Sequence, residues 1–157
     1  MIVVVMGVSG SGKTEIGARL ARRLGVEFIE GDDFHRPENV AKMRSGTPLQ
    51  DADRWPWLER LNKELKKKQS AVLACSALKQ AYRDALLKDI SGSTLVHLRG
   101  SFELIESRLK ARQHRYMPAS LLKSQFATLE PPVGAIEVDV AAGADDCVES
   151  IARHLPG

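Results

Sequence analysis

Five short apolar runs punctuate the chain: Met1 to Met6, Val26 to Glu30, Ala71 to Cys75, Thr94 to Leu98 and Ile136 to Val140. The first is continuous and rich in β-branched residues, the pattern of a strand buried on both faces of a parallel sheet. Between the runs the apolar positions switch to helical spacing. Ile16, Leu20, Ala21 and Leu24 predict a helix stopped by Gly25, and Trp57, Leu58, Leu61 and Leu65 predict another, with Asp53 as its expected N-cap. Tyr82, Leu86 and Leu87 mark a third, and Phe102, Ile105 and Leu109, capped by Ser101, a fourth. Leu121, Leu122 and Phe126 mark a fifth, and Val148, Ile151 and Leu155 the last. Strands alternating with helices predict an α/β fold, a parallel sheet with crossover helices on both faces.

At 157 residues the chain has the length of one domain, expected to span 1–157. Hydrophobic and charged fractions of 43% and 27% are those of a globular protein, and no apolar run is long enough to cross a bilayer. The opening run lacks a basic leader and a cleavage site, so the expected compartment is the cytoplasm. Net charge is only +3, and Lys66, Lys67 and Lys68, at a predicted helix end, read as a solvated face. Neither a nucleic-acid partner nor a membrane partner is expected. Cys75 and Cys147 have no metal-binding neighbourhood and read as small core residues.

The chemistry begins after the first run, at Gly7-Val8-Ser9-Gly10-Ser11-Gly12-Lys13-Thr14. Glycines at this spacing let the backbone wrap an anion so that successive N–H groups point at its oxygens, and the next helix turns its N-terminus to the same place. Lys13 reaches the β- and γ-phosphates, and the Thr14 hydroxyl suits a bridging magnesium ion. A nucleoside triphosphate with Mg2+ is the expected ligand.

Ligands of open parallel sheets bind beyond the carboxyl ends of the strands, where this chain is unusually polar. After the second run comes Gly31-Asp32-Asp33-Phe34-His35. A carboxylate here, on the strand expected beside the phosphate loop, can accept the proton of an attacking hydroxyl or hold magnesium through water. Asp32 is the first choice, with Asp33 open as the alternative base and a turn or helix cap as the purely structural role. His35, Asn39, Lys42, Gln50 and Arg54 make a donor-rich wall suited to a small, hydroxylated anion. Lys79 and Arg83, one helical turn apart, are expected to address one anion together. Arg108 and Arg112 lead a basic stretch with Arg115, a candidate lid over residues 112–120 whose arginines stabilise the transferring phosphoryl group.

These residues together resemble the gluconokinases, the small phosphate-loop family that phosphorylates D-gluconate. Besides Gly7 to Thr14, the likeness rests on Gly31-Asp32-x-x-His35, Asn39 with Lys42-Met43, Gly46-x-Pro48-Leu49 and Asp51-x-Asp53-Arg54-x-Pro56-Trp57-Leu58. It continues through Cys75-Ser76-Ala77-Leu78-Lys79, Tyr82-Arg83-Asp84, Leu122-x-x-Ser124-Gln125-Phe126 and Leu129-Glu130. The chain departs from the family pattern at Arg36, between His35 and Pro37, and at Gln113-His114-Arg115-Tyr116. The resemblance implies the five-stranded nucleoside-monophosphate-kinase fold with a lid. It also implies transfer of the γ-phosphoryl group of ATP to the 6-hydroxyl of gluconate, and a homodimer. The rival readings are a related kinase for shikimate or a nucleoside monophosphate, and a nucleotide-binding sensor without catalysis.

Overall fold

The computed structural model describes residues 1–111 and 119–157. Its centre is a five-stranded parallel sheet in the order β2-β3-β1-β4-β5. The strands are β1 (Ile2–Met6), β2 (Glu27–Glu30), β3 (Ala71–Ala74), β4 (Ser93–Arg99) and β5 (Ile136–Asp139). Every β1 residue is buried, and Val3 faces Val72 of β3 on one side and Thr94 of β4 on the other. One expectation is corrected: β2 is not the neighbour of β1, because β3 lies between them.

The pleat divides the sheet residues between two cores. Val3, Val5, Val72, Val96, Leu98 and Val138 pack under α1 (Lys13–Leu24) and α7 (Ala144–His154) through Ile16, Leu20, Val148 and Ile151. Ile2, Val4, Met6 and Leu73 face the other way, onto α3 (Asp51–Lys66) and α4 (Gln80–Leu86) through Trp57, Leu58, Leu61, Tyr82 and Leu86. A third cluster joins Val8 and Leu78 to Ile105 and Leu109 of α5 (Phe102–Lys110) and Leu122 of α6 (Ala119–Thr128), setting these helices over the phosphate loop. Both cysteines are buried and free, and burial pushes the Cys75 thiol up to about 12.

The helix periods place the core faces as expected, whereas two local features differ. The N-cap of α3 is Gln50, not Asp53; Asp53 sits at the third helical position, where its carboxylate accepts the Gln50 N–H in a reciprocal capping box. Residues 31–44, read only as a polar constellation, form a 3-10 turn (Gly31–Phe34) and helix α2 (Pro37–Arg44), opened by Pro37 at its first turn. Ser101 caps α5, accepting the Leu104 N–H. Among the described residues no helix is long and apolar enough to cross a membrane.

Candidate active site

The phosphate loop runs from the end of β1 into α1. Gly10 adopts φ +82°, and a Cβ there would stand 2.6 Å from Leu109 of α5, so the turn needs glycine for conformation and for space. Lys13 Nζ donates to the Val8 carbonyl at 3.0 Å, holding its charge over the loop. Gln125 of α6 grips the loop from above: its Oε1 accepts the Ser9 N–H at 2.7 Å, and its Nε2 donates to Ser9 Oγ at 3.1 Å. Ser11 Oγ is buried with no hydrogen-bond partner among the described residues. Gly7, Val8, Ser9, Gly10, Ser11, Gly12, Lys13 and Thr14 thus run as one continuous loop into the α1 N-terminus, a geometry suited to an anion.

Across β3, the acceptor-side elements lean onto this loop. Gly31 lies so close to β3 that a Cβ would stand 2.5 Å from the Ala74 carbonyl; only glycine lets the 3-10 turn settle there. Thr14 Oγ1 donates a short hydrogen bond to the Glu30 carboxylate, which also receives the Asp32 N–H. Glu30 was missed from sequence. It precedes Asp32 by two residues at a strand end, and that spacing was the available signal. The Asp32 side chain is 68% exposed, with Oδ1 4.0 Å from His35 Nε2.

The donor wall resolves into pairs that mostly satisfy one another. The His35 ring is only 2% exposed, stacked on Trp57 with centroids 4.1 Å apart, and burial lowers its pKa from 6.5 to about 4 despite the opposing Asp32 charge. Asn39 is 5% exposed and donates to the Asp53 carbonyl while facing His35 Nδ1. Lys42 is paired with both oxygens of Asp53, at 3.0 and 2.9 Å, a bond that holds this carboxyl below its ordinary range. His35 and Asn39 are therefore covered in this form, unlike the exposed donors expected of them.

Arg54 and Lys79 are the cations the fold gathers at one spot. Arg54 Nη1 donates to Tyr82 Oη at 3.1 Å, and the Lys79 ammonium lies 5.7 Å from the same ring. Tyr82 Oη donates in turn to Asp51, and burial followed by this bond pushes the phenol up to about 12. Trp55, exposed, meets the Tyr82 ring edge-on. Arg83 does not join Lys79. It is 3% exposed, and its guanidinium donates to the Ala77, Leu78 and Glu130 carbonyls. The physical reason is local: Ala77 has a positive φ of 44°, and Arg83 ties that strained turn to the segment after α6. Glu130 closes the clasp, accepting the Gln80 N–H.

Arg108 is half-buried in the last turn of α5, near enough to Cys147 for its charge to oppose the rise that burial imposes on that thiol. Arg112, His114, Arg115 and Tyr116 lie outside the described residues, as does most of the expected lid.

A glycine-rich anion cradle after the central strand, facing carboxylates and cations at the carboxyl ends of the same sheet, defines a P-loop phosphotransferase. A family model described as an AAA domain matches residues 2–132. A gluconokinase of Gluconobacter oxydans is 46% identical over 160 residues, covering 98% of this chain and 90% of its own. A probable gluconokinase of Xenopus tropicalis is 46% identical over 176 residues, covering 100% and 92%. The crystal structure of a gluconokinase from Sinorhizobium meliloti superposes with a TM-score of 0.90 at 43% identity, covering 98% of this chain and 92% of that one. The chain belongs to the gluconokinase family and to the AAA domain family whose model it matches.

Proposed function

We propose that the chain transfers the γ-phosphoryl group of ATP to the 6-hydroxyl of D-gluconate, giving 6-phospho-D-gluconate and ADP. One observation carries the reading: Thr14 of the phosphate cradle touches Glu30, two residues from Asp32, so the nucleotide and acceptor halves of the site share one seam. In this reading the loop amides and Lys13 hold the phosphates. Asp32, exposed at the seam, takes the 6-hydroxyl proton as the alcohol oxygen bonds to the γ-phosphorus and the bond to the β,γ-bridging oxygen breaks. Arg54 and Lys79 attract the carboxylate of the sugar acid.

A magnesium ion fits the hard oxygen donors at the seam, the Thr14 hydroxyl and the Glu30 carboxylate, with Asp32 beside them. When bound it supplies neutralisation of the phosphate charge. Arg108, just before the expected lid of residues 112–120, and Arg112, its first residue, complete the reading as the cations that neutralise the transferring phosphoryl group as the lid excludes water. The single domain over 1–157, the homodimer and the cytoplasmic location belong to the same proposal, supported by the family likeness.

The test is a coupled ADP assay against a panel of acceptors. Gluconate-dependent ADP release, with shikimate and AMP poor substitutes, is the expected result. Preference for either of those overturns the substrate, and acceptor-independent nucleotide binding alone favours a sensor.

A further inference from the structure

We propose that His35 is a positioning residue for Asp32: a buried imidazole locked with its proton on Nε2, aimed at one carboxylate oxygen so that the other meets the acceptor hydroxyl. This rests on the reading of Asp32 as the base.

The lock starts at a group that cannot change roles. The Asp53 carbonyl only accepts, so the Asn39 side-chain atom 3.0 Å from it is the amide nitrogen. That same Nδ2 stands 3.2 Å from His35 Nδ1. An amide nitrogen offers hydrogens and no lone pair, so Nδ1 is the unprotonated nitrogen of the ring. An unprotonated Nδ1 makes the ring neutral, as its burial favours against the opposing Asp32 charge, with the Arg60 and Arg54 charges also disfavouring a second proton. Its single proton is left on Nε2, which faces Asp32 Oδ1 at 4.0 Å.

The ring has little freedom to point elsewhere. Trp57 stacks on it with an interplanar angle of 17°, and Trp57 Nε1 donates at 2.8 Å to the Gly31 carbonyl of the turn that carries Asp32. Asn39 is held by α3 and Asp53 by Lys42 and the capping box. The exposed carboxylate is therefore the mobile partner, and a swing of about 1 Å brings Oδ1 within hydrogen-bond reach of Nε2. With Oδ1 engaged, Oδ2 is the oxygen left for the hydroxyl proton. Without that N–H, Asp32 samples rotamers in which neither oxygen faces the acceptor, which lowers turnover more than binding.

The test combines a spectroscopic and a kinetic measurement on the full chain. Long-range proton–nitrogen correlation on 15N-histidine-labelled protein is expected to show His35 protonated at Nε2 only, and mixed tautomers in Asn39→Ala. In His35→Gln the amide nitrogen stands near the place of Nε2; kcat is expected within about threefold of wild type, whereas His35→Asn loses about tenfold with gluconate KM little changed. A proton on Nδ1 overturns the proposal. So do equal deficits in the Gln and Asn variants, or a deficit confined to gluconate KM. Asp32→Asn separates the two layers: lost turnover there beside equal Gln and Asn variants removes only the role of His35, whereas retained turnover removes the base assignment and the proposal with it.

Discussion

The two halves of the site are built from different materials. On the proposed phosphate side the groups on offer are main-chain amides of a glycine-rich loop, with Lys13 folded over it. On the acceptor side they are side chains already bonded to one another, His35 to Asn39, Lys42 to Asp53, and Arg54 to Tyr82. A backbone cradle is written in consecutive letters, because its geometry follows from local spacing. A side-chain network is assembled across α2, α3 and α4, and each of its members performs a role set by a partner distant in sequence.

The contrast breaks first at Lys13. Lys13→Ala is expected to reduce kcat by about 10³ with the fold intact by circular dichroism, since one cation serves a whole cradle of amides. Next is Arg83→Met, which takes the guanidinium donor from the Ala77 and Glu130 carbonyls and one of two donors from Leu78, whose carbonyl keeps the Glu130 N–H. Chemical denaturation should show a loss of about 3 kcal/mol, with gluconate KM changed less than by Lys79→Met. Arg54→Leu should raise gluconate KM by about thirtyfold, or ~2 kcal/mol, while ATP KM stays near wild type in initial-rate kinetics.

Acid sharpens the comparison further. The folded chain keeps His35 neutral down to about pH 4, whereas an unfolded chain protonates it near 6.5. Unfolding therefore takes up a proton between those values. This contribution is complete above pH 6.5 and is lost as the pH falls, by about 2 kcal/mol at pH 5, and His35→Gln should flatten that part of a stability–pH curve. The smallest effect is expected at Gln125. Gln125→Leu removes two bonds to Ser9 and should raise ATP KM about fivefold, read by nucleotide titration.

Much of the fold was legible because periodicity reports burial directly. Val3 and Val5 point one way and Val4 the other, and the apolar stripes of α1, α3 and α7 land on the sheet as their spacing requires. Strand order was not legible: nothing in residues 26–30 tells that β3 will lie between β2 and β1. In the site, the glycine spacing of residues 7–14 announces a turn between a strand and a helix, and the chain places it between β1 and α1. Arg83 was misread because a guanidinium one turn from Lys79 looks like an anion ligand until the left-handed turn at Ala77 shows why it is needed inside. Glu30 stands at a legible place, two residues before Asp32, but its role comes from a bond to Thr14 across β3 that becomes visible only with the strand order.

Cys75 sits where β3 ends, close enough to Asp32 and Lys13 for both to act on it electrostatically. A sulfur at that address would ordinarily be a point of failure under oxidants or alkylating agents. Sealed in the core, where burial pushes its thiol up to about 12, it has little thiolate at neutral pH. In the folded chain Cys75 should therefore react only slowly with peroxide or iodoacetamide, so labelling at this position reports unfolding.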